Sequence, residues 1–516
     1  MNKRLRGVAT WLQDNQLRQQ FWACLIAGLA TLLPLILQVD LYVDDIERSM
    51  DGHLNWVRVG RPLADMLFEV MNFGRPATAV SPLFTLVAIV LLSLAGVACS
   101  RAYAICSPFW TSLASLPLMA QPYGLQAMSY GFDSLTMAMA LLLSVLAALL
   151  VHRRSDWRCW AGALLMQLAS FNLYQPAANG FLVMSGFLCI GASLNLLDYP
   201  WKTPSLRLRV MLSAGVYGIG YGLYRLLYVL LFEHHLNGYA IRAAQLRPWN
   251  QSFPVAVLDA ATEPLQLLWQ DFGEWPVVMP LLLIIVTYTI LLLLNSGWRI
   301  AVLVAMAAVV VLLLLSPGGM LFLSHSFVRH PRSLLYLGPL LTSLVLQVLV
   351  LSRLVGRRVW RVGVFPLIWL MVVFSYSFGH AFGAQARFEQ GRLSRIVGAA
   401  STLQTQHGER PIRFLIVEGV MPRSPILQNT VRKFPLIDRL IPPLLEGNQS
   451  FSFSQLRLHG LELVKRSPDE LNDLLPTNCK SSAEAICTSE FSLQRVGGDT
   501  LVLKLSPETE LRRPRT

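Results

Sequence analysis

The stretch AVSPLFTLVAIVLLSLAGVA, residues 79–98, decides the fold because it runs for 20 residues without a charge. A bilayer core about 30 Å thick needs roughly 20 apolar residues in an α-helix, so this stretch predicts a membrane-spanning helix. Similar runs recur along the chain and predict eleven spans. They lie at about 21–38, 79–98, 102–120, 133–151, 157–173, 177–197, 208–232, 275–295, 298–316, 334–352 and 362–383.

The composition agrees with a polytopic α-helical membrane protein. Apolar residues make up 54% of the chain and charged residues only 14%, against roughly 25% charged in soluble domains. The net charge of +13 is concentrated in short loops between apolar runs, which indicates topology and not nucleic-acid binding. A soluble enzyme, a disordered scaffold, a fibre and a disulfide-dense secreted domain are excluded.

The loop charges predict the orientation. The N-terminus and every second loop hold 16 basic and 3 acidic residues, whereas the opposite loops hold 8 basic and 13 acidic residues. By the positive-inside rule we expect a cytoplasmic N-terminus, an uncleaved first span and a C-terminus outside.

The chain after residue 383 has the composition of a soluble domain. We therefore predict a membrane domain at 1–383 and a small α/β periplasmic domain at 384–516. Its predicted strands are 412–419 and 500–505, and its predicted helices are 432–446 and 468–475. The sequence alone does not decide whether Cys479 and Cys487 form a disulfide.

The first predicted outside loop, residues 39–78, is rich in carboxylates directly after the first span. Asp40, Asp44, Asp45 and Glu47 fall within eight residues, where they repel one another at a membrane edge. The simple interpretation is a solvated loop with an outside-negative bias. The functional interpretation is that these carboxylates bind a cation or act on a reaction partner.

An amphipathic helix follows in the same loop. Apolar residues at 63, 66, 67, 70 and 71 have helical spacing, with Pro62 at the start and Gly74 just past the end. The helix is too short to span a bilayer, so we expect it to lie in the outer interface with Asp65 and Glu69 facing water. Such a loop suits a substrate with a lipid tail and a polar head.

Several short motifs resemble those of the polytopic glucosyltransferases that modify bacterial O-antigen during serotype conversion, which belong to the GT-C class. These motifs are YVDDIER at 42–48, Gly52, Trp56, GRPL at 60–63, LYQPAA at 173–178 and RHPR at 329–332. The resemblance implies transfer of glucose from undecaprenyl-phosphate-glucose to a hydroxyl of lipid-linked O-antigen on the periplasmic face. The expected partners are thus this donor, this acceptor and membrane lipid, without nucleic acid.

The chemistry of such a transfer indicates which carboxylates matter. An acceptor hydroxyl must lose its proton as it attacks the anomeric carbon, so a carboxylate is the natural general base. Asp44 and Asp45 are the candidates, one as the base and the other as a stabiliser of positive charge on the sugar ring. We favour Asp44 as the base because the family pattern highlights its spacing after the span.

The lipid-phosphate leaving group needs cations, and arginine suits phosphate. The donor-phosphate candidates are Arg48, Arg61, Arg225, Arg329, Arg332 and His325. Arg225 lies inside a predicted span, where snorkelling or an ion pair is an equal alternative. Arg329 and Arg332 have the alternative of anchoring lipid headgroups.

Sugars are commonly held by aromatic faces and amides, which gives Tyr42, Trp56, Tyr174 and Gln175 as sugar-binding candidates. Gln121, Tyr123 and Tyr130 lie at predicted outer span ends too, where a belt of interfacial aromatic residues explains the two tyrosines better.

We expect no cofactor and no metal. A divalent ion between Asp44 and Asp45 is conceivable but not favoured, because the leaving group is not a diphosphate. His234 and His235 lack the spacing of two helical metal ligands. A flippase or a polymerase of lipid-linked sugars remains the alternative function. The sequence lacks the paired, interrupted apolar segments that would indicate the inverted repeats of a transporter.

Overall fold

The structure is a computed structural model, and the residues that it describes are 14–153, 156–197, 205–232, 234, 236–238, 241, 253–272, 274–296, 330–406, 411–447, 449–467 and 484–505. Their contacts divide the chain into two units. The membrane unit comprises Met1–Leu37 and His53–Ser377, and the C-terminal unit comprises Gln38–Gly52 and Phe378–Thr516. The predicted boundary after residue 383 stays a prediction. The contacts add residues 38–52, from the first predicted outside loop, to the C-terminal unit.

The described helices up to residue 406 are numbered in chain order. They are α1 Asn15–Gln38, α2 Asp44–Asp51, α3 Pro62–Met71, α4 Leu83–Ala102, α5 Pro108–Ala120, α6 Gly124–Ser129, α7 Asp133–Arg153, α8 Trp157–Leu173, α9 Gln175–Ala178, α10 Gly180–Ser193, α11 Leu206–Leu231, α12 Phe253–Phe272, α13 Trp275–Ser296, α14 Leu337–Leu354 and α15 Phe365–Gln406. Short 3-10 turns occupy Trp56–Val59, Pro331–Leu334 and Arg358–Val364.

Within the described ranges, eight helices are long and apolar enough to cross a membrane, which makes this a polytopic membrane protein. The predicted spans at 102–120 and 157–173 correspond to the shorter helices α5 and α8, of 13 and 17 residues. The predicted span at 298–316 lies outside the described residues. The count of eleven therefore stays a prediction.

Buried polar side chains tie the helices of the membrane unit together. Ser144 Oγ on α7 donates to Ala177 O at 3.1 Å, and Ser170 Oγ on α8 donates to Ala140 O at 2.8 Å. Gln167 Nε2 donates to Ala178 O at 3.0 Å. A bilayer core offers no water as an alternative partner, so such bonds between helices fix their packing.

Helix α15 is 42 residues long. At 1.5 Å per residue it extends roughly 63 Å, about twice the thickness of a bilayer core. Its second half carries Leu393, Ile396, Ala400 and Leu403, which are buried in the core of the C-terminal unit. The second half of α15 is therefore part of the C-terminal unit.

The C-terminal unit contains a five-stranded sheet. Its elements after α15 are β1 Phe414–Glu418, α16 Pro425–Lys433, α17 Leu436–Leu440, α18 Ser450–Leu458, β2 Val464–Lys465, β3 Ala485–Cys487, β4 Phe491–Val496 and β5 Thr500–Leu505. The strand order is β2-β1-β5-β4-β3. Strand β1 pairs in parallel with β2 and β5, whereas β4 pairs antiparallel with β3 and β5.

The elements predicted from sequence in this unit match in part. The predicted strands at 412–419 and 500–505 coincide with β1 and β5. The single helix predicted at 432–446 is wrong, because α16 and α17 are separate and Pro435 between them lacks the N–H that a continuous helix would use. The helix predicted at 468–475 lies outside the described residues. Cys487 is disulfide-bonded, and its proposed partner Cys479 also lies outside them.

Two glycines of the membrane unit provide a matched test of helix packing. A Cβ at Gly96 on α4 would overlap Ser115 Cβ on α5, whereas a Cβ at Gly218 on α11 meets nothing within 4 Å. We expect Gly96→Ala to destabilise the protein by about 1–3 kcal/mol through overpacking. Gly218→Ala should be neutral or stabilising by up to about 1 kcal/mol, because alanine favours helix. Thermal unfolding in detergent measures both, and equal midpoints for the two variants would contradict the close approach of α4 and α5.

Candidate functional site

The two acidic residues favoured for catalysis stand at the start of α2, in the C-terminal unit. Three carboxylates, those of Asp44, Asp45 and Glu47, lie in its first turn, where the helix dipole favours negative charge. The residue before them, Val43, has a φ of +47°, which is a strained conformation for a β-branched side chain. Such strain is characteristic of functional sites, where surrounding structure holds it in place.

Asp44 and Asp45 differ sharply in environment. Asp44 is exposed, whereas Asp45 is completely buried. An oxygen of the Asp45 carboxylate lies 4.0 Å from Arg48 Nη1, one helical turn further on, and Arg48 is itself buried. Arg48, a donor-phosphate candidate, thus has a carboxylate neighbour on its own helix.

Asp65 is buried inside the membrane unit, so the prediction that it faces water is wrong. Its carboxylate accepts hydrogen bonds from the backbone N–H groups of Trp56, at 3.1 Å, and Val57, at the start of the Trp56–Val59 turn. These N–H groups have no partner within a helical turn, so a carboxylate satisfies them. The helix predicted here is present as α3, and its exposed apolar side chains are Met66, Val70 and Met71, with the exposed Phe73 just after its end.

A compact group of charged and aromatic side chains lies in the membrane unit, and we call it the arginine cluster. Its members are Arg61, Tyr130, Asp133, Tyr174 and Arg332. They come from the loop before α3, the starts of α7 and α9, and the Pro331–Leu334 turn. The structure describes four of the sequence-predicted donor-phosphate residues, namely Arg48, Arg61, Arg225 and Arg332. Two of them, Arg61 and Arg332, lie together in this cluster.

Each arginine of the cluster stacks on a tyrosine ring. The guanidinium carbon of Arg61 lies 4.5 Å from the ring centroid of Tyr174, and that of Arg332 lies 4.5 Å from the centroid of Tyr130. The Tyr174 hydroxyl donates to Arg332 O at 3.3 Å, which links the two pairs. Cation–π contact of this kind holds a guanidinium in a fixed orientation.

Asp133 is the carboxylate of the cluster. One of its oxygens lies 3.6 Å from Arg61 Nη1 and accepts the indole N–H of Trp56. With two guanidinium groups and one carboxylate, the cluster has a surplus of positive charge. Among the described residues, Arg61 Nε has no hydrogen-bond partner although it is buried. A buried donor in this state suits an anionic ligand.

Gln175 and two tyrosines of α11 fix the loop that carries Arg61. Gln175 Nε2 donates to Gly60 O at 2.7 Å and to the Tyr224 hydroxyl at 2.9 Å. The Tyr228 hydroxyl donates to Val57 O at 2.8 Å. Gly60 has a φ of +81° and would clash with Gln175 if it carried a Cβ. The loop conformation therefore depends on a glycine at this position.

The sugar-binding candidates are all engaged in packing. Trp56 and Tyr174 are buried in the membrane unit, and Gln175 holds the loop beside them. Tyr42 is buried in the C-terminal unit, where its hydroxyl donates to Leu440 O at 2.7 Å. Sugar binding by these four residues stays a prediction.

The remaining candidates are placed as follows. Arg225 is half-buried on α11, one residue after Tyr224. Tyr130 lies against Arg332 in the arginine cluster, and the Tyr123 hydroxyl donates to Asp271 at 2.8 Å. Both tyrosines are buried, so they are not part of an exposed interfacial belt. Arg329 and His325 lie outside the described residues. No group of three or more His, Cys, Asp or Glu side chains in the described ranges is arranged to hold a metal.

Two buried carboxylates of this region, Asp133 and Asp271, were not among the sequence candidates. Both are almost fully buried and bond to aromatic side chains. The signal was present for Asp133, which stands immediately before an apolar run, because a charge at the edge of a span needs a partner. For Asp271 the sequence offers no comparable signal.

Comparison with known proteins identifies the family. A family model described as glucosyl transferase GtrII matches residues 33–343, more than half of the chain. A protein of Salmonella phage P22, described as an uncharacterized 55.3 kDa protein in the gtrB 5' region, is 29% identical over 438 residues. That match covers 82% of this chain and 87% of the phage protein. No solved structure matches significantly. The chain therefore belongs to the glucosyl transferase GtrII family.

Proposed function

We propose that this membrane glucosyltransferase moves glucose from undecaprenyl-phosphate-glucose to a hydroxyl of lipid-linked O-antigen, on the periplasmic side of the bacterial inner membrane. The arginine cluster is the observation that carries the proposal, because it joins Arg61 and Arg332 on stacked tyrosines in the membrane unit. The predicted topology assigns both residues to the outside. An anionic lipid headgroup is the ligand that such a cluster suits.

The cluster would bind and stabilise the phosphate that leaves the sugar. A guanidinium stacked on a ring uses its face for the ring and keeps its N–H edge for a ligand in its plane. Negative charge grows on the phosphate as the glycosidic bond breaks, so the fixed positive charge stabilises the transition state more than the ground state. Asp133 would orient Arg61 without cancelling the positive charge of Arg332.

Asp44 is our candidate for the general base. Its exposure lets it meet an acceptor hydroxyl. Asp45, buried beside Arg48, is left with the second role predicted for this pair, the stabilisation of positive charge on the sugar ring. The base takes the hydroxyl proton as oxygen bonds to the anomeric carbon, and the lipid phosphate departs with the electron pair of the old bond.

Helix α3 supports a substrate with a lipid tail. Its exposed residues Met66, Val70 and Met71, followed by Phe73, present apolar surface that water would disfavour. We propose that this surface rests in the outer membrane interface, as the periodicity predicts. The flippase and polymerase alternatives share the lipid substrates, and no observation favours either of them over transfer.

Removal of the Asp44 carboxylate tests its role as the general base. Asp44→Asn keeps the side-chain volume but removes the base, so transfer should fall by a factor on the order of 10²–10⁴. Purified protein would be incubated with undecaprenyl-phosphate-glucose and a lipid-linked O-antigen acceptor, and gain of one hexose by the acceptor would be measured.

Glu47→Gln is the matched control, because Glu47 is exposed in the same first turn and has no assigned role. It should transfer at nearly the wild-type rate. Full activity of Asp44→Asn, or an equal loss in both variants, would remove Asp44 from the mechanism. A wild type that moves donor between leaflets without forming product would indicate the flippase.

Conservative substitutions test the arginine cluster. Arg61→Lys and Arg332→Lys keep the charge but lose the planar group that stacks and binds phosphate with two N–H donors. We expect the KM for donor to rise about tenfold in each variant. Arg58→Lys is the control, because Arg58 is exposed in the adjacent turn. Donor KM values within twofold of wild type in both cluster variants would exclude a phosphate role.

Chelation tests the expectation that no metal takes part. A monophosphate leaving group beside two guanidinium groups needs no divalent ion for charge neutralisation, so the transfer rate should be unchanged after treatment with EDTA. Loss of activity on chelation and its recovery with added Mg²⁺ or Mn²⁺ would show that a metal is required.

A further inference from the structure

Helix α2 is held by the C-terminal unit at its beginning. The hydroxyl of Tyr42, two residues before the helix, donates to Leu440 O at 2.7 Å, across 398 positions of sequence. The Tyr42 ring is buried, with its centroid 6.0 Å from that of Phe382. A buried hydroxyl with a backbone acceptor fixes the position of the chain that carries it.

The end of the same helix is held as well. Asp51, the last residue of α2, accepts a hydrogen bond from Arg457 Nη1 on α18 at 2.8 Å. This bond raises the pKa of Arg457. Helix α18 packs along α2, so the contact extends beyond a single ion pair. The segment preceding α2 is also bound, because Arg387 Nη1 donates to Gln38 Oε1 at 3.1 Å.

Helix α2 needs such support. It has eight residues, and isolated helices shorter than about 12–15 residues are marginal in water. The N-cap residue Val43, which precedes the helix, provides no side-chain cap and is strained. Local sequence alone therefore does not hold Asp44 and Asp45 in one place.

We propose that the C-terminal unit positions the carboxylates of α2, with Tyr42 and the Asp51–Arg457 pair as its positioning residues. The inference rests on the proposed function only in giving Asp44 a reaction to serve. A general base must lie within hydrogen-bond reach of its proton, and displacement by about 1 Å can cost a hundredfold in rate. The role assigned to the C-terminal unit is thus catalytic positioning.

Charge exchange tests the ion pair. Asp51→Arg places two guanidinium groups together, Arg457→Asp places its carboxylate beside those of Asp51 and Glu462, and the double variant restores an opposite pair at positions 51 and 457. Hydrogen exchange of the amides of residues 45–52 would be measured in the full-length protein by mass spectrometry, beside kcat and the donor KM. Each single variant should exchange faster and lose roughly threefold to tenfold in kcat, since an exposed pair contributes modestly. The donor KM should stay within twofold, and the double variant should recover.

Tyr42→Phe tests the other contact, because it removes only the hydroxyl and leaves Leu440 O without this donor. We expect kcat to fall about tenfold at an unchanged donor KM, with faster exchange in α2. Glu490→Arg is the control, because it reverses an ion pair with Arg395 elsewhere in the same unit. It should leave both the exchange of α2 and kcat near wild type.

The outcomes separate the two proposals. A wild-type protein that transfers no glucose overturns the proposed function. The difference in amide hydrogen exchange between wild type and variants still decides whether these residues position α2. Unchanged exchange and kcat in Tyr42→Phe and in both single reversals overturn the positioning. So does a loss in Glu490→Arg that equals theirs, or a double variant that does not recover.

Discussion

The pairing of Asp133 is the constraint on which the membrane unit depends. A carboxylate at the start of a helix that enters a bilayer loses its water, and an unpaired charge there costs several kcal/mol. Arg61 and the indole N–H of Trp56 offset that cost. Because both partners come from one loop, their bonds bring residues 56–61 against α7. The same loop contains the Trp56–Val59 turn and Gly60 with its positive φ, and α3 begins directly after it.

Composition and periodicity were sufficient for the coarse architecture. The apolar runs predicted the membrane helices because each helix must satisfy its own backbone in lipid, and α3 followed from spacing and Pro62. The orientation of Asp65 could not be predicted in this way. Periodicity separates apolar from polar faces, but it does not anticipate that a carboxylate will turn inward to accept N–H groups from the preceding turn.

The candidate site was predictable in its residue types and less so in its grouping. Arg61 and Arg332 were both expected to bind phosphate, yet only tertiary structure could place the ring of Tyr174 beneath one and its hydroxyl on the backbone of the other. The adjacent acidic residues at 44 and 45 look equivalent in sequence. Helix geometry separates them, because neighbouring positions point about 100° apart and one of them turns into the C-terminal unit.

Long-range contacts explain why a role for the C-terminal unit could not be predicted from local sequence. The bond from Tyr42 to Leu440 and the pair of Asp51 with Arg457 each join positions about 400 residues apart. Neither leaves a local pattern, since a buried tyrosine resembles a sugar-binding one and a surface aspartate resembles a solvated one. In the proposed mechanism the motif at 42–48 serves two purposes: the exposed Asp44 acts as the base, and Tyr42 anchors the strained residue Val43 that lies between them. Backbone strain persists only when neighbouring structure overdetermines it, and the buried Tyr42 ring provides that restraint.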